Sequence, residues 1–142
     1  MKVFFDTSSL FKLYHREAGT DELMQLFSGA GIATIYVADI TRIEFSSVVW
    51  KKCRKREISE EIATLLIMRF TEDARKFTFV PDETETKLFA SELIGTHWQR
   101  GLRTLDSIQL ASALMVKEDV DIFLTSDIVL SQIAKTEGLQ VK

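Results

Sequence analysis

Apolar positions along the chain switch between two spacings. Short, nearly continuous apolar runs occupy residues 2–5, 34–38, 77–80 and 121–124. Runs of this length, bounded by polar residues, read as buried strands. Residues 139–141 read as a last short strand. Helical spacing marks residues 10–16, 21–27, 42–55, 60–75, 85–98, 105–116 and 128–137. This alternation predicts an α/β fold in three α/β/α layers, with a central parallel sheet of four or five strands covered by helices on both faces. Pro81 is the single proline, and the six glycines are scattered without a linker, a repeat or a low-complexity tract. Residues 1–142 therefore read as one domain.

Composition narrows the classes. The chain is 46% apolar with ten Phe, enough to build a core without a covalent staple. Cys53 is the only cysteine, which excludes an internal disulfide, and with only His15 and His97 beside it no zinc spacing exists. A reduced, cytoplasmic setting is expected. Asp6 interrupts the first apolar run, so no signal peptide is read there, and no stretch reaches bilayer length. The net charge of −3 excludes a whole-molecule basic field. A nucleic-acid partner therefore needs a local patch or a bound cation.

Four acids carry the candidate chemistry. Asp6 follows the first strand directly, and Asp127 follows the strand ending Phe123-Leu124-Thr125-Ser126. Both lie at the carboxyl edge of a parallel sheet, where ligands bind near the switch in strand order. Glu44 and Asp106 fall in the first turns of the helices beginning near residues 42 and 105, where the helix dipole tolerates an acid. Carboxylates converging on one point repel each other unless a cation or protons neutralise them. Hard oxygen ligands suit Mg²⁺ or Mn²⁺. Ordinary structural roles also fit these residues: Thr41-Arg42-Ile43-Glu44 matches a capping box, Asp106 suits a helix start, and Asp127 suits an N-cap. Asp39 and Asp82 follow strand-like segments as well, so position alone does not select the set.

The selection comes from a resemblance. Val3-Phe4-Phe5-Asp6-Thr7-Ser8-Ser9-Leu10, Thr41-Arg42-Ile43-Glu44, Leu102-Arg103-Thr104-Leu105-Asp106 with Ser107 to Ala113, and Phe123-Leu124-Thr125-Ser126-Asp127 together resemble the PIN-domain signature, in order and in spacing. The second motif selects Glu44 over Asp39. The chain looks most like the VapC-like toxins, small PIN ribonucleases of bacterial and archaeal toxin–antitoxin pairs. Two positions depart from that pattern: Gln109 stands where many relatives have histidine, and Leu130 where many have phenylalanine. Neither removes a carboxylate.

The resemblance implies a Mg²⁺- or Mn²⁺-dependent endoribonuclease. Asp6 and Asp106 would be the primary ligands, with Glu44 and Asp127 acting directly or through water. Ser8, Thr41 and Ser126 would sit behind the ligands and hold them, or cap helices. The resemblance also implies a cognate antitoxin and a homodimer. Two other classes compete: a regulatory RNA- or protein-binding module that keeps the fold without cleaving, and a DNA nuclease of related fold. The presence of all four acids argues against a degenerate site, and the short chain lacks additions for gripping duplex DNA.

Ser8 and Ser9 have no histidine in a triad arrangement, so a serine nucleophile is not read here. His15 and His97 are expected to be solvated. Arg42, Arg100 and Arg103 flank the second and third motifs and could contact a phosphate, with surface ion pairing as the other reading. Residues 51–56 hold five cations in six positions, suited either to an RNA backbone or to a solvated helix C-terminus. Ile43, Val48, Val49 and Trp50, with Ile62, Leu65, Leu66 and Phe70, are expected to be core. Leu66-Ile67-Met68 extends the apolar surface beyond one stripe, toward a partner face or a broad buried one.

Overall fold

A computed structural model describes residues 1–142, the side chain of Ala30 excepted. The elements follow in the order β1 (Lys2–Phe5), α1 (Thr7–Phe11), α2 (Thr20–Ala30), β2 (Thr34–Ala38), α3 (Thr41–Arg54), α4 (Glu60–Asp73), β3 (Thr78–Val80), α5 (Thr84–Thr96), α6 (Thr104–Met115), β4 (Ile122–Leu124) and α7 (Ile128–Thr136). The sheet is parallel with order β3-β2-β1-β4. Phe5 at the end of β1 pairs with Val37 on one side and with Leu124 on the other. The chain therefore leaves β1 in one direction and returns on its far side. The reversal falls between β1 and β4, and it opens a crevice at their carboxyl ends.

β1 is apolar without alternation because both of its faces are covered, and Val3, Phe4 and Phe5 have no exposed surface. Successive side chains still point to opposite faces. Phe4 joins Val80, Leu93, Leu110, Phe123 and Ile133 under α5, α6 and α7. Val3 and Phe5 join Phe11, Val37, Phe45, Val49 and Phe70 under α1 to α4. Within the second layer, the rings of Phe45 and Phe70 stack with centroids 4.2 Å apart.

Four strands form, within the four or five expected, and residues 139–141 do not become a fifth. Gly138, with φ +91°, ends the turn after α7, and residues 140–142 join the edge of β4 through the Phe123–Val141 bridge and a Thr125 N–H to Lys142 carbonyl bond at 3.4 Å. α1 starts three residues earlier than expected because Asp6 caps it, accepting the N–H of Ser9 at 2.8 Å. The Thr41–Glu44 capping box does not form. The cap position is Ile40, without a side-chain hydrogen bond, while Thr41 is fully buried and bonded elsewhere.

Two expectations for apolar residues are corrected. Ile43 and Trp50 on α3, and Ile62 and Leu65 on α4, are exposed rather than core, Ile43 by 73%. Leu66 is buried and Ile67 packs beside it, so only Met68 of that trio faces outward. No helix among the described residues is long and apolar enough to cross a membrane.

Candidate metal centre

The crevice between β1 and β4 gathers acids from four separated segments. Asp6 ends β1, and its carboxylate is buried. Oδ1 accepts the N–H of Ser9 at 2.8 Å and the Ser8 hydroxyl at 3.2 Å, and Oδ2 accepts the Thr125 hydroxyl at 2.5 Å. Burial pushes its pKa above the usual carboxylate range, and the Thr125, Ser9 and Ser8 hydrogen bonds offset part of that rise.

Glu44 lies in the first turn of α3. Its Oε1 receives Gln109 Nε2 at 2.7 Å and the Thr7 hydroxyl at 3.0 Å. Burial raises its pKa, the Gln109 and Thr7 bonds lower it, and the charges of Asp106 and Asp6 raise it again. Asp106, in the first turn of α6, is raised by burial, then by the charge of Asp127, against a lowering from Arg103 and a further rise from Asp6. Asp127 caps α7 by accepting the N–H of Leu130 at 2.8 Å. Neighbouring acids thus add to the burial that raises Glu44 and Asp106. Asp39 lies outside the group, held by Arg42 Nε at 2.9 Å.

Among the described residues, no three His, Cys, Asp or Glu side chains are drawn tightly enough around one point to hold an ion. The donor set is all oxygen, it carries excess negative charge, and the pKa of Asp6 is raised by burial. These features fit a hard divalent cation rather than a softer metal.

The supporting residues are partly those expected. Ser8 does bond Asp6. Thr41 bonds the hydroxyl of Thr7 and the amide of Gln109, one step behind Glu44. Ser126 is held by the Lys12 ammonium and touches no acid. Its neighbour Thr125 does that work, donating to Asp6 and accepting the N–H of Asp127 at 3.1 Å. Thr7 and Thr125 lie inside motifs without a role read for them, and Gln109 is read only as a departure from the family pattern. The signal available was their offset: each lies one to three residues from a motif acid, Thr7 in the first turn of α1, Thr125 just after β4 and Gln109 one helical turn beyond Asp106.

The cations are arranged less simply than their spacing implied. Arg103 Nε stands 3.7 Å from Asp106, with the side chain mostly exposed. Arg42 pairs with Asp39 and lies 3.6 Å over the Phe79 ring, and Arg100 donates to Thr136 at 3.1 Å. His97 is buried, not solvated, and bonds Glu137 at 2.6 Å. The basic run splits. Lys51, Lys52 and Lys55 line a cavity of about 290 Å³ with Ser8, Phe11 and Glu57, and Lys52 is paired with Glu17 and Glu57. A second cavity, of about 190 Å³, is lined by Leu23, Leu26 and Leu124 with Lys12, Thr125 and Ser126. Residues that hold Asp6 therefore border both cavities.

A parallel sheet ordered β3-β2-β1-β4, with acids from four segments at its reversal, defines a fold class with an acidic crevice. The PIN domain family model matches residues 3–136, and the chain belongs to that family. A comparison with curated protein sequences finds no match. Solved structures are similar in fold. VapC20 of Mycobacterium tuberculosis, described as a sarcin–ricin loop cleaving toxin, is 14% identical with a TM-score of 0.70, over 96% of this chain and 95% of that one. FitAcB of Neisseria gonorrhoeae is 14% identical with a TM-score of 0.69, over 98% and 95%. VapBC2 of Rickettsia felis, solved with a DNA fragment from its promoter, is 14% identical with a TM-score of 0.66, over 100% and 98%. At this identity the likeness is one of fold.

Proposed function

We propose that this PIN-domain chain is a Mg²⁺- or Mn²⁺-dependent endoribonuclease and the toxin of a toxin–antitoxin pair. One observation carries the reading: Asp6 after β1, Glu44 in the first turn of α3, Asp106 in the first turn of α6 and Asp127 capping α7 come from four separated segments to the carboxyl edge of the sheet, where Glu44 feels the charges of Asp106 and Asp6, and Asp106 those of Asp127 and Asp6. Charge crowding at the carboxyl edge of a parallel sheet suits a site built to meet a cation. Asp6 and Asp106 would hold the ion, with Glu44 and Asp127 reaching it directly or through water. A bound divalent ion there lowers the pKa of water and offsets the charge of a phosphodiester.

The chain's own residues have separate tasks. Thr125, Ser8 and the Ser9 amide fix the Asp6 carboxylate. Gln109 and Thr7 fix Glu44. Arg103, exposed beside Asp106, would meet a phosphate oxygen. The fold likeness to VapC20, a toxin described as cleaving the sarcin–ricin loop, supports RNA over DNA as substrate. The likeness to VapBC2 and FitAcB supports a cognate antitoxin, and an arginine fork on that partner would fit the carboxylate crevice. The exposed apolar side chains of α3 and α4 support a homodimer.

The test is cleavage of a panel of structured RNAs and DNAs with Mg²⁺ or Mn²⁺, set beside Asp6→Asn. Metal-dependent cutting of RNA that the variant loses supports the reading. Cutting of DNA alone would replace it with a deoxyribonuclease. A chain that binds RNA with metal and cuts nothing would replace it with a binding module.

A further inference from the structure

Gln109 lies on α6 one turn beyond Asp106, and only 2% of it is exposed. Its Nε2 faces three oxygens: Glu44 Oε1 at 2.7 Å, Thr7 Oγ1 at 3.0 Å and Thr41 Oγ1 at 3.1 Å. Thr7 Oγ1 is also 3.0 Å from Glu44 Oε1 and 3.0 Å from Thr41 Oγ1. Counting hydrogens settles the direction of every bond. An ionised Glu44 has none to give, so the single hydroxyl hydrogen of Thr7 goes to it. The Thr41 hydrogen then goes to Thr7. One amide hydrogen of Gln109 goes to Glu44, at the shortest distance, and the other to the threonine oxygens. Two donors, the Thr7 hydroxyl and one Gln109 N–H, reach Glu44 Oε1, and Thr41 backs Thr7.

The other end of the amide supplies an independent observation. Gln109 Oε1 is buried without a hydrogen-bond partner. Turning the amide over would offer that carbonyl two threonine hydroxyls. It would also set the carbonyl oxygen against Glu44 Oε1 at 2.7 Å, oxygen against negatively charged oxygen. The carboxylate therefore dictates the orientation, and the unpaired carbonyl is its cost. A residue serving only to fill this space would be better apolar, because matched apolar shapes leave no buried group unpaired.

We propose that Gln109 is a positioning residue for Glu44. With Thr7, which Thr41 backs, it holds Oε1 between two donors, so that Oε2 is left for a cation or its water. The proposal rests on the reading that Glu44 serves a carboxylate metal site. Donors behind a ligand orient it and tune its affinity, and their loss lowers metal affinity about 10–100-fold.

The experiment compares the full-length chain with Gln109→Leu and Gln109→His. Leucine keeps much of the volume and removes both the amide hydrogens and the unpaired carbonyl. The expected result is Mn²⁺ affinity, measured by calorimetry, at least about tenfold weaker, with the Tm of the metal-free protein unchanged or higher. Histidine, whose ring N–H can donate toward Glu44, should recover affinity. Gln109→Met, flexible enough for the same space, repeats the loss should the leucine variant not fold. A metal-free crystal structure of the folded apolar variant should show the Glu44 carboxylate rotated or in several conformers. Wild-type affinity in the apolar variants, affinity lost only in step with Tm, or an unmoved Glu44 would each overturn the proposal. Wild-type protein that binds no Mn²⁺ would defeat the metal-site reading by itself. The Glu44 conformation in the variant crystal would then decide the positioning role alone.

Discussion

Thr125 Oγ1 donates to Asp6 Oδ2 at 2.5 Å, across 119 residues of chain. The same oxygen accepts the backbone N–H of Asp127 at 3.1 Å, so one hydroxyl joins the ends of β1 and β4 and places the first and fourth acids relative to each other. Thr125→Val keeps the shape and removes both bonds. It leaves a buried carboxylate short of a donor, which costs about 1–3 kcal/mol. Urea denaturation of the metal-free chain should register that loss, and Thr125→Ser should restore most of it. A valine variant as stable as wild type would show that the bond contributes nothing.

Asp6→Asn should separate folding from metal binding. Asparagine can still accept the Ser9 N–H at the start of α1, and its amide can donate to Thr125, so the cap survives. Removing a buried charge should leave the metal-free variant no less stable than wild type at neutral pH. Only the wild type should gain from Mn²⁺, by about 2.7 kcal/mol when the free ion stands at 100 times its Kd. Thermal melts with and without Mn²⁺ measure both quantities. Equal Mn²⁺ shifts in the two proteins would remove Asp6 from the ligand set.

The raised carboxyl values of Asp6, Glu44 and Asp106 have a definite sign in stability. A folded pKa above the unfolded one means that the folded state holds the proton more tightly. The contribution is complete below the unfolded value, about 4 for such groups, and is lost as pH rises through the folded values. Without metal, wild type should therefore gain relative to Asp6→Asn as pH falls from neutrality into mild acid. Mn²⁺ affinity should weaken over the same window, because protons compete for the ligands. Parallel stability curves for the two proteins would contradict the shift at Asp6.

The parts of the fold legible in sequence were those set by local pattern. Val3-Phe4-Phe5 reads as a strand because helices cover both faces of β1, which removes any need for polar alternation. The four acids were legible through the order and spacing of four motifs, which chose Glu44 over Asp39; a place at a strand end or in a first helical turn did not choose among the acids by itself. Asp6 misled on the start of α1 because it does two things at once, capping that helix while facing the other acids. His97 looked solvated because its partner, Glu137, is 40 residues away. Gln109 could not be assigned a role for the same reason, since Thr7 and Thr41 lie 102 and 68 residues distant. The 3.6-residue period of α3 and α4 records apolar faces but not what covers them. Ile43 is exposed by 73% on such a face.

That uncovered face leads to the last expectation. Ile62, Leu65 and Met68 form a stripe along α4, with Trp50 exposed on the neighbouring α3, and they leave 42%, 38%, 54% and 45% of their respective surfaces open. Side chains three residues apart on a helix present to one side, so a second copy could bury the stripe against its own. The candidate metal centre lies elsewhere, at the strand ends under Asp6 and Asp127, and pairing through α4 leaves it open to substrate. A stable dimer buries roughly 1,200–2,000 Å² in all, which these residues would share with the polar rim around them. Sedimentation at tens of micromolar should give a dimer for wild type and a monomer for Leu65→Lys combined with Met68→Lys. Circular dichroism should be the same for both, because neither side chain anchors the core and substitutions at such surface positions usually change stability by less than about 0.5 kcal/mol. A wild-type monomer, or a double variant that still pairs, would move the interface off α4.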